Sequence, residues 1–255
     1  MPKMLNFIQH GPSTGTPIVI AHGLFGSARN WGVISKRLSQ TRPVVAMDMR
    51  NHAGSFWDDD HSYAAMAHDL TAVIDHLGGP VDLIGHSMGG KAAMLATLQG
   101  ASVRRLVVAD IAPVGYGHTQ QHLIDAMAAL DLTSITTRAG ADAALANYVD
   151  DPSVRAFLLQ SLDIKAQRWR LNLTALSHNM PQILGFPETG PNAGTQCPTL
   201  FLTGAASDYV RPEHRPKIKS LFPKARFAKL PGAGHWLHAE KPHEFEAAVR
   251  VFLGL

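Results

Sequence analysis

The chain has 255 residues, of which 45% are hydrophobic and 17% charged, and a formal net charge of +3. This composition supports a sizeable packed core and excludes a disordered or low-complexity chain. The Lys and Arg residues are scattered, so no nucleic-acid partner is expected, and the single cysteine, Cys197, excludes an internal disulfide. No apolar run is long enough to span a membrane, and residues 1–10 carry no signal core, so a cytoplasmic protein without a membrane span is expected.

Residues 17–21 (PIVIA) read as a buried strand, as do 43–47 (PVVAM), 81–84, 103–109 and 199–202, with a last strand at 226–230. Continuous β-rich runs of this kind belong to central parallel strands covered on both faces. Helical patterns alternate with them. Ser62 is a candidate N-cap for a helix running to about Leu77, before Gly78-Gly79-Pro80; residues 87–99 form another, ended by Gly100, and 241–253 a C-terminal one. The alternation predicts an α/β fold with a mostly parallel, doubly wound sheet. One region breaks the rhythm. Residues 112–196 contain no convincing strand but carry helical stretches near 119–130, 139–149 and 153–173. A bare loop of that length is improbable in a compact domain. The expected organisation is therefore a core of residues 1–111 and 197–255 with a helical cap, 112–196, over the carboxyl ends of the strands, where ligands bind. The Gly- and Pro-rich stretch 185–198 would return the chain to the core, and Cys197 reads as a packed thiol at strand entry.

The most informative segment is Gly85-His86-Ser87-Met88-Gly89, a Gly-x-Ser-x-Gly string just after a strand and just before a helix. That context is the nucleophile elbow of α/β-hydrolases. The sharp turn strains the serine backbone and pushes its hydroxyl outward, and the residues two before and two after must be small. Ser87 is therefore the candidate nucleophile. Its base is expected late in the chain, after the last strand. Among 14 histidines, His235 in Pro231-Gly-Ala-Gly-His-Trp236 has that position; His238 lies closer to a helix entry and is the weaker choice. An oxyanion hole needs two backbone N–H donors. One is assigned to Met88 and the other to Leu24, in the loop His22-Gly-Leu-Phe-Gly-Ser27 after the first core strand, with His22 bracing that loop.

The acid is contested. In the usual slot after the cap, Gly204-Ala-Ala-Ser-Asp-Tyr-Val210 carries Ser207 where the acid belongs, with Asp208 one residue out. Asp110, in Leu106-Val-Val-Ala-Asp-Ile-Ala-Pro113, ends the preceding strand and is favoured over Asp208, because geometry and not chain order decides which acid can orient the histidine. Asp48 and Arg50 are read as loop-fixing residues. No metal-ligand spacing is present, and a Ser-His-Asp mechanism needs neither metal nor cofactor.

These segments, together with Asp48-Met-Arg-Asn-His52, Gly85-His-Ser-Met-Gly-Gly-Lys91, Asp110-Ile-Ala-Pro-Val114 and Gly232-Ala-Gly-His-Trp-Leu-His-Ala-Glu-Lys-Pro242, resemble the YbfF-type bacterial esterases along nearly the whole chain. The resemblance implies an esterase with acyl-CoA thioesterase activity, a small helical cap and an acid after the sixth strand, which maps onto Asp110. One departure is Ala53, where the family usually has Gly. The expected substrate is a small-molecule acyl ester or thioester, and the cap residues Arg155, Lys165, Arg168 and Arg170 are candidates to meet CoA phosphates. A C–C bond hydrolase or lyase on the same fold is the rival enzyme reading, disfavoured by Ser207 in the acid slot; a dehalogenase is disfavoured by serine at position 87. A ligand receptor with weak hydrolase activity is the rival outside enzymes.

Overall fold

The computed structural model describes residues 3–190 and 193–255, so the expected return segment 185–198 is described except for residues 191 and 192, and the N-terminal stretch except for residues 1 and 2. The chain runs β1 (Phe7–His10), β2 (Ile18–Ala21), α1 (Gly32–Leu38), β3 (Val44–Met47), α2 (Tyr63–His76), β4 (Val81–His86), α3 (Met88–Leu98) and β5 (Val103–Ala109). It continues through α4 (Gln121–Ala128), α5 (Arg138–Leu145), α6 (Pro152–Leu158), β6 (Leu162–Asp163), β7 (Arg168–Trp169), α7 (Leu173–His178) and α8 (Met180–Leu184). It ends with β8 (Thr199–Gly204), α9 (Arg215–Leu221), β9 (Ala225–Leu230), α10 (Leu237–Glu240) and α11 (Pro242–Leu253).

Seven strands form one sheet in the order β1-β3-β2-β4-β5-β8-β9. Strand β1 pairs antiparallel with β3, and every other neighbouring pair is parallel. The apolar runs read from the sequence are the central strands, and their side chains divide between two cores. Ile18 and Ile20 of β2 pack on one face with Trp31, Leu38 and Phe245. Val19 and Ala21 pack on the other with Met66, Leu70 and Met94. Alternation on a strand buried on both sides produces this split, which is why β2 shows no polar residue at all. The Ser62 hydroxyl accepts the Ala65 N–H and caps α2 as expected.

Among the described residues between β5 and β8, none adds a strand to the sheet. The pattern read as one helix over 153–173 is instead α6, a single turn of 3-10 helix at Leu159–Ser161 and the hairpin β6–β7. Gln167 turns that hairpin at a φ of +49°, and Arg170 closes it on Asp163 at 2.8 Å. Neither Gly nor Pro marks the break, so periodicity alone ran through it. The edge strand β1 carries no apolar run in the sequence, and its residues FIQH are only partly buried. Among the described residues, no helix is long and apolar enough to cross a membrane.

Candidate active site

Strand β4 delivers Ser87 to the carboxyl edge of the sheet, and α3 starts at the next residue. Ser87 has φ +50° and ψ −119°, a conformation that costs a non-glycine residue roughly 1–3 kcal/mol and persists only where the surroundings impose it. They do so here. A Cβ on Gly85 would lie 2.5 Å from the Gly89 carbonyl oxygen, and one on Gly89 2.4 Å from that of His22. Glycine at both positions is therefore a steric requirement of the elbow. The Ser87 N–H donates to the Ala109 carbonyl at 3.0 Å, which ties the elbow to the end of β5.

The next residue on that strand end is Asp110, fully buried with φ +51°. Its carboxylate accepts three hydrogen bonds. Oδ2 takes His235 Nδ1–H at 2.8 Å and the Ser207 hydroxyl, and Oδ1 takes the Gly204 N–H at 3.1 Å. A buried carboxylate must be satisfied in this way to stay charged. Tyr209 stacks on the His235 ring at 4.0 Å, and His86, buried and held well below the usual histidine range by desolvation, donates its Nε2–H to the His235 carbonyl at 2.9 Å. His235 is thus oriented at its ring nitrogen, its ring face and its backbone. Ser207 and Tyr209 belong to the slot that on sequence alone counted only as lacking an acid; that slot supplies donors and a stacking surface instead.

The other acid and the other histidine are elsewhere. Asp208 is exposed, and among the described residues its carboxylate meets no hydrogen-bond partner. His238 is buried and stacked on Trp31 at 4.1 Å, and burial pushes it down to about 3.

Ser87, His235, Leu24 and Met88 all line one cavity of about 500 Å³. Among the described residues, neither the Leu24 nor the Met88 N–H meets an acceptor, whereas the Gly26 N–H donates to Gly23 O at 3.0 Å. Met88 also opens α3, whose dipole favours negative charge at this end. His22 braces the loop as read from sequence: its Nδ1–H donates to Gly23 O at 2.8 Å and its Nε2 accepts the Met49 N–H at 2.9 Å. Asp48 accepts the Ala28 N–H at 2.8 Å and the Gly54 N–H at 3.0 Å, and Arg50 pairs with Asp69 at 2.6 Å, so both fix loops. Ala53 has φ +46°, which gives the usual glycine at this position its physical reason and makes alanine a strained replacement.

The far walls of the cavity come from the inserted segment, through Leu123, Val154, Phe157 and Ile183. Its Lys and Arg residues do not line it. Arg155 is engaged by Asp142 at 2.9 Å and Arg170 by Asp163, and none of Arg155, Lys165, Arg168 and Arg170 lines the cavity, whereas Asp150 and Asp151 do. The cavity lining gives no support to the expectation that these cations meet CoA phosphates. Among the described residues, no cluster of three or more His, Cys, Asp or Glu side chains could hold a metal ion.

Residues 18–248 match the model of the alpha/beta hydrolase family. The chain belongs to this family. Within it, the sn-1-specific diacylglycerol lipase ABHD11 of Mus musculus is 42% identical, the alignment covering 99% of this chain and 85% of the lipase. Esterase YbfF of Escherichia coli is 38% identical over 96% of this chain and 94% of its own length. A solved marine microorganism esterase, 38% identical, superposes with a TM-score of 0.93 over 98% of this chain and 99% of that one.

Proposed function

We propose that the chain is a serine esterase in which Ser87, His235 and Asp110 form the catalytic triad and the N–H groups of Leu24 and Met88 form the oxyanion hole. The observation that carries this reading is the Asp110–His235 hydrogen bond at 2.8 Å, behind a cavity wall that also holds Ser87 on its strained elbow. With its Nδ1–H committed to the carboxylate, His235 has Nε2 free as a base. It takes the Ser87 proton as Oγ bonds to the acyl carbon. The carbonyl electron pair moves to oxygen, and the two N–H donors stabilise that charge. Collapse breaks the bond to the leaving oxygen, which takes the proton from His235. Water then repeats the sequence on the acyl-enzyme, releasing the acid and restoring the Ser87 hydroxyl. Asp110 orients the imidazole and stabilises the imidazolium formed in each half.

The segment 112–196 acts as the cap that encloses the acyl group. The apolar side chains it contributes suit an acyl chain, and the names of the relatives, a lipase and esterases, support an ester substrate. The same chemistry serves an acyl thioester. With Asp150 and Asp151 in the cavity lining, no cap Lys or Arg beside them, and Lys91 of α3 committed to the Leu184 carbonyl at 2.8 Å, an ester with an uncharged alcohol is the better substrate than an acyl-CoA of the same chain length. The test is turnover of a nitrophenyl ester series beside matched acyl-CoAs, for wild type and Ser87→Ala, with fluorophosphonate labelling of both. Wild type should be labelled and hydrolyse esters faster than thioesters; the variant should do neither. Full turnover by Ser87→Ala would refute the assignment.

A further inference from the structure

Phe25, next to Leu24, is held by both of its backbone polar groups. Its N–H donates to His52 Nε2 at 3.2 Å, and its carbonyl accepts the buried Ser161 hydroxyl at 3.1 Å. It needs such holding, because φ is +64°, a region that a phenylalanine rarely adopts. The acceptor state of His52 follows from its other nitrogen. Nδ1 lies 2.8 Å from the Arg50 carbonyl, which can only accept, so the ring proton sits on Nδ1 and Nε2 presents a lone pair. Burial, aided by the neighbouring His22 ring, pushes His52 down to about 3, so the ring keeps that lone pair at neutral pH.

Of the three N–H groups from Leu24 to Gly26, the Phe25 one is taken by His52 and the Gly26 one by Gly23 O. The Leu24 N–H is left, on the cavity wall. The two residues holding Phe25 come from different parts of the chain. His52 follows β3, and its neighbours pair with the inserted segment, Ala53 N–H to Arg170 O at 2.7 Å and Asn172 N–H to Asn51 O at 3.0 Å. Ser161 belongs to that segment itself, in the turn after α6.

We infer that His52 and Ser161 are positioning residues for the oxyanion hole: they clamp Phe25 so that the Leu24 N–H faces the acyl oxygen. Through Ser161 the inserted segment helps to stabilise the transition state as well as to enclose the substrate. The inference rests on the reading of Ser87, Leu24 and Met88 proposed above.

The experiment measures steady-state kinetics on nitrophenyl butyrate and inhibition by phenylboronic acid, which forms an anionic tetrahedral adduct on the nucleophile. The variants are Ser161→Ala, His52→Asn and His52→Gln. Glutamine places an acceptor oxygen near the position of Nε2, and asparagine does not reach it. Ser161→Ala and His52→Asn should each lower kcat about tenfold, leave KM within about twofold and weaken the boronate by the same factor as kcat. His52→Gln should recover most of that loss. Wild-type kcat and boronate affinity in Ser161→Ala, or a loss confined to KM, would overturn the clamp. Should His52→Asn fail to fold, Ser161→Ala, which removes one hydroxyl, still decides. A wild type that binds no boronate and takes no fluorophosphonate would remove the premise, a result distinct from failure of the clamp alone.

Discussion

Strands β5 and β8 lie side by side, Ala109 opposite Leu202, and each is followed by an acidic residue in the turn at its carboxyl end. The two turns treat those residues in opposite ways. Asp110 leaves β5 with φ +51°, and its carboxylate lies inside the protein, where His235, Ser207 and Gly204 donate hydrogen bonds to it. The turn after β8 presents Ser207 and the Tyr209 ring inward and leaves Asp208 in solvent. One turn supplies the charge and the other supplies its solvation. Standing at a strand end is therefore not enough to bring an acid to His235; Asp110 reaches it from a left-handed backbone, and Asp208 does not.

The sharpest test of this division is Asp110→Asn. Asparagine tolerates a left-handed backbone and keeps the shape of aspartate, so the turn should survive. Its amide cannot hold the imidazole in the required tautomer or balance an imidazolium. Loss of kcat of about 10³- to 10⁴-fold is expected, with KM little changed and the melting temperature near that of wild type. A loss below tenfold on a nitrophenyl ester would break the comparison and return the role to the neighbouring turn.

Which residues would meet was only partly legible in the sequence. The strands were legible because a strand buried on both faces must be apolar throughout, as Ile18–Ala21 and Val44–Met47 are. The elbow was legible because the close approach of Gly85 and Gly89 to neighbouring backbone is a local demand on residue type. The choice of Asp110 depended on position and resemblance, since the φ that aims it is no property of aspartate. Ser207 was noticed only as a missing acid; its role arises from a contact across 97 positions of chain. His52 and Ser161 bond to the backbone of Phe25, and a backbone partner leaves no trace in residue identity. The hairpin β6–β7 was lost because its tight turn is made by Gln167, a residue that signals no turn.

Ser207→Ala probes the supporting half of the comparison. The hydroxyl is one of three donors to a fully buried carboxylate, and its own oxygen accepts the Tyr209 N–H at 3.3 Å, which points its proton at Asp110. Without it, Oδ2 keeps only His235 and the carboxylate is less well held. A single hydrogen bond to a buried charge, partly replaced by relaxation, corresponds to a fall in kcat of about tenfold, again with KM nearly constant. Threonine at 207, which keeps the hydroxyl, should restore most of the rate. An unaffected Ser207→Ala enzyme would mean that the turn after β8 contributes nothing to the acid.

Asp208→Asn should do least. Its side chain is exposed and unbonded among the described residues, while its backbone carbonyl accepts from Arg211 Nε at 3.2 Å, a contact the substitution preserves. What remains is the field of one solvated charge at the imidazolium, which water and salt screen, so kcat/KM should stay within about twofold of wild type. The double variant Asp110→Asn/Asp208→Asn sharpens the point. If Asp208 were a reserve acid, able to turn inward when Asp110 is neutralised, the double variant would lose activity beyond Asp110→Asn alone. Equal residual rates in the two would show that no second carboxylate reaches His235, because the same backbone that turns Ser207 toward Asp110 leaves Asp208 in solvent.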